Sequence, residues 1–318
     1  MKPHDRIAVV GAGVAGLSTA IRLMQSGSSV DIIARDFPPH TTSNVAAAFW
    51  CPYRSEGETR PAKWASFTYG ELRKLEDLPE AGIFKVHVRE VFKTQSEDPW
   101  YIDLIEGFHR SNPTVLPPGF VDGYEFETYR IETPKYMKYL VQTCENLGAN
   151  MHSESLNTLN ELQERYRRII NCSGVWARQL VDDEKVYPIQ GQVVLTKRMK
   201  TLSDTILLYD YPDYPAYIVP RSTDCLLGGT TIKDHWDLRP DAEIAKGIKS
   251  RCEALNPDIA SADTIEGKVG LRPGRHEVRL EKDESIKGIH VIHNYGHGGN
   301  GFTFSWGCAA EVVDLLES

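Results

Sequence analysis

The sequence predicts an α/β protein whose parallel sheet is interleaved along the chain with an antiparallel one. Three observations carry that expectation. Ile7–Val10 is a short apolar run of the kind that lies buried on both faces of a parallel sheet, and it leads through a glycine-rich turn and a helical stretch to a second such run at Val30–Ile33. Ile83–Thr94 and Gly123–Ile131 alternate in the strand manner instead, the mark of an antiparallel sheet with two unlike faces. Asn150–Leu156 and Arg168–Cys172 then read as strands of the first kind returning.

The turn after the first strand is G-x-G-x-x-G, at Gly11, Gly13 and Gly16. Set between a strand and a helix, that spacing has a mechanical meaning. Gly11 allows the tight turn, Gly13 lets the backbone approach a pyrophosphate, which then rests on bare amides such as those of Val14 and Ala15, and Gly16 lets the helix lie close on the sheet. Val14, Leu17, Ile21 and Met24 recur at helical spacing, and Ser26 with Gly27 ends the helix. A bound dinucleotide is expected, NAD or FAD, with its first ribose held about twenty residues past the motif. Arg35 and Asp36 stand there. Next, Thr41, Thr42 and Ser43 offer hydroxyls and amides at a helix start, as cofactor contacts or as a plain N-cap. The small residues from Val45 through Ala47 and Ala48 let another surface come close.

Composition sets outer limits. A chain of 318 residues with 41% hydrophobic content can bury one large core or two modest ones, and two domains are expected. A net charge of -8 offers no footprint for nucleic acid or an anionic membrane, and no apolar run is long enough to span a bilayer. A small-molecule partner fits better. The opening MKPHDR leads straight into a strand without an apolar leader region, so a cytoplasmic location is expected. The six cysteines lack C-x-x-C spacing and read as buried thiols, and the ten histidines include no H-E-x-x-H pair, so no metal is expected.

Further along, Pro61–Lys74 reads as an amphipathic helix with Trp64, Phe67 and Leu72 on or near one face. Thr133-Pro134 opens another helix, which Gly148 ends. The strand at Arg168–Cys172 runs into the small residues Ser173, Gly174 and Val175, at the carboxyl end where a doubly wound sheet places its ligand. Antiparallel strands are expected at Val186–Lys197, Tyr214–Arg221 and Cys225–Thr230, with a helix from about Asp241 to Leu255. The last segment starts at Val269, crosses a strand at Ile289–His293 and enters a second glycine-rich loop, NYGHGGNG, before an apolar helix.

Together these pieces resemble the D-amino-acid oxidase family of FAD enzymes over nearly the whole chain. The landmarks are GAGVAGLSTA, SNVAAAFW with PY, INCSGVWA, PIQGQVVL, YIVPR, LGGT, VGLRPGRHEVRLE and HNYGHGGNGFTFSWG, in that order. The resemblance implies FAD rather than NAD. It implies a Rossmann-like FAD-binding domain from residues 1–50, 134–185 and 268–318, and a substrate-binding domain with an antiparallel sheet from residues 51–133 and 186–267. It further implies oxidative deamination of D-amino acids by hydride transfer to the flavin, with molecular oxygen as final acceptor, giving a 2-oxo acid, ammonia and hydrogen peroxide.

Holding an α-amino acid by its carboxylate calls for a planar, two-pronged donor, which arginine supplies and lysine does not. By resemblance Arg272, in GLRP, is that clamp, and Tyr217 of YIVPR shares the carboxylate; on sequence alone Tyr217 equally fits a half-buried strand tyrosine. The family's pattern puts the amine on the carbonyl of Gly299, and the flavin ring in a cradle formed by Gly298, Gly299, Asn300, Gly301, Phe302 and Thr303, while Tyr53 and Arg54 fall at the substrate pocket. Thr231 follows GGT where relatives specialised for D-aspartate carry arginine, which implies neutral or apolar substrates. Arg54 and Arg221 keep an acidic substrate open as the alternative, and a glycine or N-substituted amine oxidase is a third reading, against which the GLRP and YIVPR pair weighs. The chain ends Leu316-Glu317-Ser318, without a peroxisomal S-K-L signal, and its oligomeric state stays open, a homodimer included.

Overall fold

The two kinds of strand that the hydropathy pattern distinguishes form two sheets. The computed structural model describes residues 6–52, 59–210, 214–286 and 288–318. Along the chain lie β1 (Ile7–Val10), α1 (Val14–Gln25), β2 (Val30–Ala34), α2 (Thr42–Val45), α3 (Thr59–Leu75), β3 (Ile83–Phe92), β4 (Glu106–Arg110) and β5 (Asp122–Ile131). Then come α4 (Thr133–Asn146), β6 (Asn150–Ser153), β7 (Arg168–Asn171), α5 (Ala177–Leu180), β8 (Tyr187–Lys197), β9 (Ile206–Asp210), β10 (Pro215–Pro220) and β11 (Asp224–Gly228). The last third adds β12 (Ile232–Lys233), α6 (Ala242–Leu255), β13 (Thr264–Gly274), β14 (Arg279–Asp283), β15 (His290–Tyr295) and α7 (Gly301–Glu317).

The first sheet runs β15-β7-β1-β2-β6, all parallel, with β14 antiparallel on the β15 edge. β1 and β2 are buried along their whole length, which is why they show no alternation. The second sheet runs β12-β8-β11-β10-β9-β3-β5-β4, with β13 on the opposite edge of β8. It is antiparallel apart from the β3–β9 pair. One continuous core joins the sheets, from Val9 and Leu17 to Phe126, Val193 and Tyr217. All six cysteines are buried free thiols, and no helix of the described residues is long and apolar enough to cross a membrane.

Two segments depart from the expected division of the chain. The return to the first sheet, expected at residue 268, comes later, because β13 runs through that position paired with β8 from Thr264 to Gly274. Helix α3, expected with the second sheet, packs mainly on α7, while its Tyr69 keeps a ring contact with Tyr129 of β5, centres 5.0 Å apart. Trp64 donates its indole N–H to Glu311 at 2.6 Å, and Arg60 pairs with the same carboxylate. Phe67 is not on the buried face of α3; it stays exposed with the Arg22 guanidinium 5.3 Å from its ring centre. The strand expected to reach Leu156 stops at Ser153.

Gly307 makes the α3–α7 approach possible, because a Cβ there would collide with the backbone of Trp64. Alanine in a helix gains about 1 kcal/mol over glycine from propensity. At Gly307 that gain meets an overpacking cost of roughly 1–3 kcal/mol or more, since backbone cannot give way as a side chain can. Gly307→Ala should therefore lower the midpoint of thermal unfolding. Gly70→Ala on the exposed face of α3, where nothing lies within 4 Å of the added carbon, should raise it.

Candidate active site

Two adjoining cavities lie where the sheets meet. The larger, about 830 Å³, runs from Gly11, Gly13, Val14 and Ala15 past Arg35 and Asp36 on one side to Gly298, Gly299, Gly301 and Phe302 on the other, with Ser43 and Val175 in its wall. The smaller, about 150 Å³, is lined by Ala47, Ala48, Phe49, Cys51, Leu208, Pro215, Tyr217, Thr231 and Thr303. Thr42, Arg272, Gly299 and Phe302 belong to both walls. The two glycine-rich stretches, nearly 290 residues apart in sequence, thus face one continuous space.

Gly11 sits at φ +111° with the Cys172 carbonyl where a side chain would be, and Gly16 packs on the Gly11 carbonyl. Both glycines are needed for that turn, but only Gly11 lines the cavity. Helix α2 is entered through Thr41, not Thr42 or Ser43, and the Thr41 hydroxyl bonds Asn44 at 2.8 Å. Ser43 reaches across instead: its hydroxyl accepts the Val14 N–H at 3.0 Å and caps the start of α1 from another segment. At the far end Arg35 donates to Asp36 at 2.7 Å, with its guanidinium 4.4 Å from the ring centre of Trp176.

The antiparallel sheet builds the smaller cavity through register. Tyr217 on β10 lies opposite Gly228 on β11, and the tyrosine ring fills the space that a side chain on Gly228 would take. Arg272 on β13 is treated alike. Its guanidinium occupies the place of a side chain on Gly191 of β8, and one Nη donates to the Thr230 carbonyl at 2.8 Å. Burial raises the Tyr217 pKa while the nearby Arg272 charge opposes that, so the phenol is a neutral donor beside a cation. Thr303 of α7 donates its hydroxyl to the Cys51 carbonyl at 2.9 Å and ties the helix that follows the second glycine-rich loop to the pocket wall. The Cys51 thiol, pushed up to about 12 by burial, is neutral and serves as wall.

Several residues expected at the site stand elsewhere. Arg221, weighed as a partner for a side-chain carboxylate, is buried, is ion-paired to Asp224 at 2.6 Å and lines neither cavity. Asn300 lines neither; it is buried at the start of α7, where its carbonyl accepts the Phe304 N–H at 2.9 Å. Tyr53 and Arg54 lie outside the described residues. The sequence reading missed the apolar wall of Phe49, Val193, Leu208 and Pro215, which looks like any strand core, and Gly191, which an in-strand glycine could have signalled.

His297 is buried in the wall of the larger cavity. Its Nε2 donates to Asn294 Oδ1 at 3.0 Å, and Asn294 in turn donates to the Thr19 hydroxyl at 3.1 Å. Burial pushes its pKa from 6.5 down to about 4, so it is neutral and carries no positive charge at neutral pH. The unfolded chain protonates this imidazole near 6.5 and the folded apoprotein only near 4, so folding sheds a proton between those values. Stability contributed here is present above about 6.5 and is lost as pH falls toward 4, on the order of 3 kcal/mol over the full window. His297→Gln, which keeps an amide donor, should flatten that part of the pH dependence, as read by urea unfolding of the apoprotein at pH 7 and pH 4.5.

Comparison with known proteins finds relatives over nearly the whole chain. A D-amino-acid oxidase of Rubrobacter xylanophilus is 42% identical over 98% of this chain and 95% of its own length. A human D-aspartate oxidase is 35% identical over 98% and 94%. A solved glycine oxidase from Geobacillus kaustophilus shares the fold with a TM-score of 0.84 at 19% identity, covering 98% of this chain and 94% of that one. The family model described as FAD dependent oxidoreductase matches residues 6–315. The chain belongs to this FAD-dependent oxidoreductase family.

Proposed function

We propose that this enzyme oxidises D-amino acids with neutral or apolar side chains, using FAD and molecular oxygen. One observation carries the reading: Arg272 and Tyr217, each lodged in the space of a missing Cβ, line the smaller cavity together with Gly299, and Arg272 and Gly299 line the larger one as well. The larger cavity fits FAD, because its floor is glycine backbone at the start of α1 and its far end is the glycine loop at the start of α7. When bound there, the flavin supplies a two-electron hydride acceptor that oxygen can reoxidise to give hydrogen peroxide.

The protein's own part is orientation. Arg272 offers its guanidinium edge to the substrate carboxylate while its other Nη stays on Thr230, and the Tyr217 hydroxyl donates to the same carboxylate. The Gly299 carbonyl accepts from the amine and turns the α-hydrogen toward the shared wall. Hydride leaving from the free amine needs no acid or base at the carbon, and fixing the geometry is where the rate advantage arises. The imino acid then hydrolyses in water to a 2-oxo acid and ammonia. D-handedness rests on the relatives at 42% and 35% identity.

The choice of side chain follows from the wall. Phe49, Leu208, Val193 and Pro215 are apolar, and Thr231 is uncharged. A side-chain carboxylate there would lose its water and find, among the described residues of that wall, no cation besides Arg272, which already holds the α-carboxylate, a cost of several kcal/mol.

Arg272→Ala should lower kcat/KM for D-alanine by about 100- to 1000-fold, the cost of leaving a carboxylate without its charged partner, while the flavin spectrum persists. The intact protein should turn over D-valine faster than D-aspartate; the reverse order would move the substrate reading to acidic amino acids.

A further inference from the structure

Loop 231–241, between β11 and α6 and carrying the short strand β12, starts in the substrate pocket with Thr231 and reaches the other cavity with Leu238. Folding gives it no evident reason to carry large apolar groups. Yet Trp236 and Leu238 stand 40% and 54% exposed, on either side of Asp237. The backbone beside them is pinned at Asp237 and at Asp241. Gln190 and Gln192, buried on β8, pin both ends of this stretch: Gln190 donates to the Asp237 carbonyl at 2.7 Å, Gln192 donates to the Asp241 carbonyl at 2.7 Å, and the Asp241 N–H donates back at 2.8 Å. Arg239 folds onto the Asp237 carboxylate at 2.6 Å and closes the turn. Two exposed apolar side chains on a braced loop call for an occupant that covers them.

The surroundings say which. Trp236 packs on Trp176, ring centres 5.7 Å apart and tilted by 42°, and Trp176 carries the Arg35 guanidinium at 4.4 Å on its ring. Trp176, Arg35 and Leu238 all line the larger cavity, at the end marked by Arg35 and Asp36. That end follows β2, where the fold places the first ribose of a dinucleotide. Trp236 therefore stiffens a layer of indole and guanidinium from outside, and Leu238 faces the same space.

We propose that loop 231–241 is a clasp for the adenosine half of the cofactor: Leu238 covers it directly, and Trp236 braces the Trp176–Arg35 layer against it. The proposal rests on the FAD reading of the larger cavity. It makes cofactor retention a property of a loop that belongs to the antiparallel sheet, not of the glycine motifs alone.

The test is binding to apoprotein, followed by quenching of flavin fluorescence for FAD and FMN and by calorimetry for ADP. Trp236→Ala and Leu238→Ala should each weaken FAD and ADP about tenfold and leave FMN, which lacks adenosine, unchanged; Trp236→Phe should restore most of the loss. Unchanged FAD and ADP affinity in both alanine variants would overturn the proposal. So would equal losses for FAD and FMN, which mean a general disturbance and not a clasp. If the unaltered chain bound FMN and FAD equally and ADP not at all, the assignment of the larger cavity itself would fall, a result distinct from either.

Discussion

Strand β8 is the constraint on which the site depends. It pairs along one edge with β13 from Tyr187 to Thr196, and along the other with β11 and β12. That register sets Gly191 under the Arg272 guanidinium, brings the Thr230 carbonyl within 2.8 Å of the same group, and places Gln190 and Gln192 where they hold the loop beyond β12. A slip of one residue would turn Arg272 to the opposite face of the sheet and set a side chain where Gly191 leaves room. The pocket is thus specified by strand pairing first and by its lining residues second.

The chemistry inherits this rigidity. Arg272 and Tyr217 are held by strands, not by loops, and both fill space vacated by glycines, so their rotamers have little freedom left to lose on binding. Tyr217 stays protonated because burial outweighs the neighbouring charge, and His297 stays neutral because burial alone decides it. Neither group titrates near neutral pH, which suits a site whose task is to orient substrate.

Much of this was legible in the chain, for a physical reason that differs by residue. The turn at Gly11 can be read because backbone there must pass where a side chain would meet the Cys172 carbonyl, and glycine shows it, whereas Gly299 was read from the resemblance of its loop to a known family. Arg272 and Tyr217 became readable through the resemblance of GLRP and YIVPR to a known family; their spacing alone would not have paired them, since the pairing is made by β8. Arg221 misled because an arginine after a strand says nothing of Asp224, which neutralises it within the fold. The apolar wall was hidden, for Leu208 and Val193 obey the same alternation whether they face a pocket or a core. Helix α3 was assigned by its place in the chain, whereas Gly307 decides where it packs.

The most direct test is a visible spectrum of the purified holoprotein without oxygen, taken as D-alanine and, in a separate sample, L-alanine is added. The account predicts that D-alanine bleaches the flavin absorbance within the mixing time and that L-alanine leaves it unchanged. Bleaching by L-alanine, or by neither isomer with the flavin in place, would contradict it.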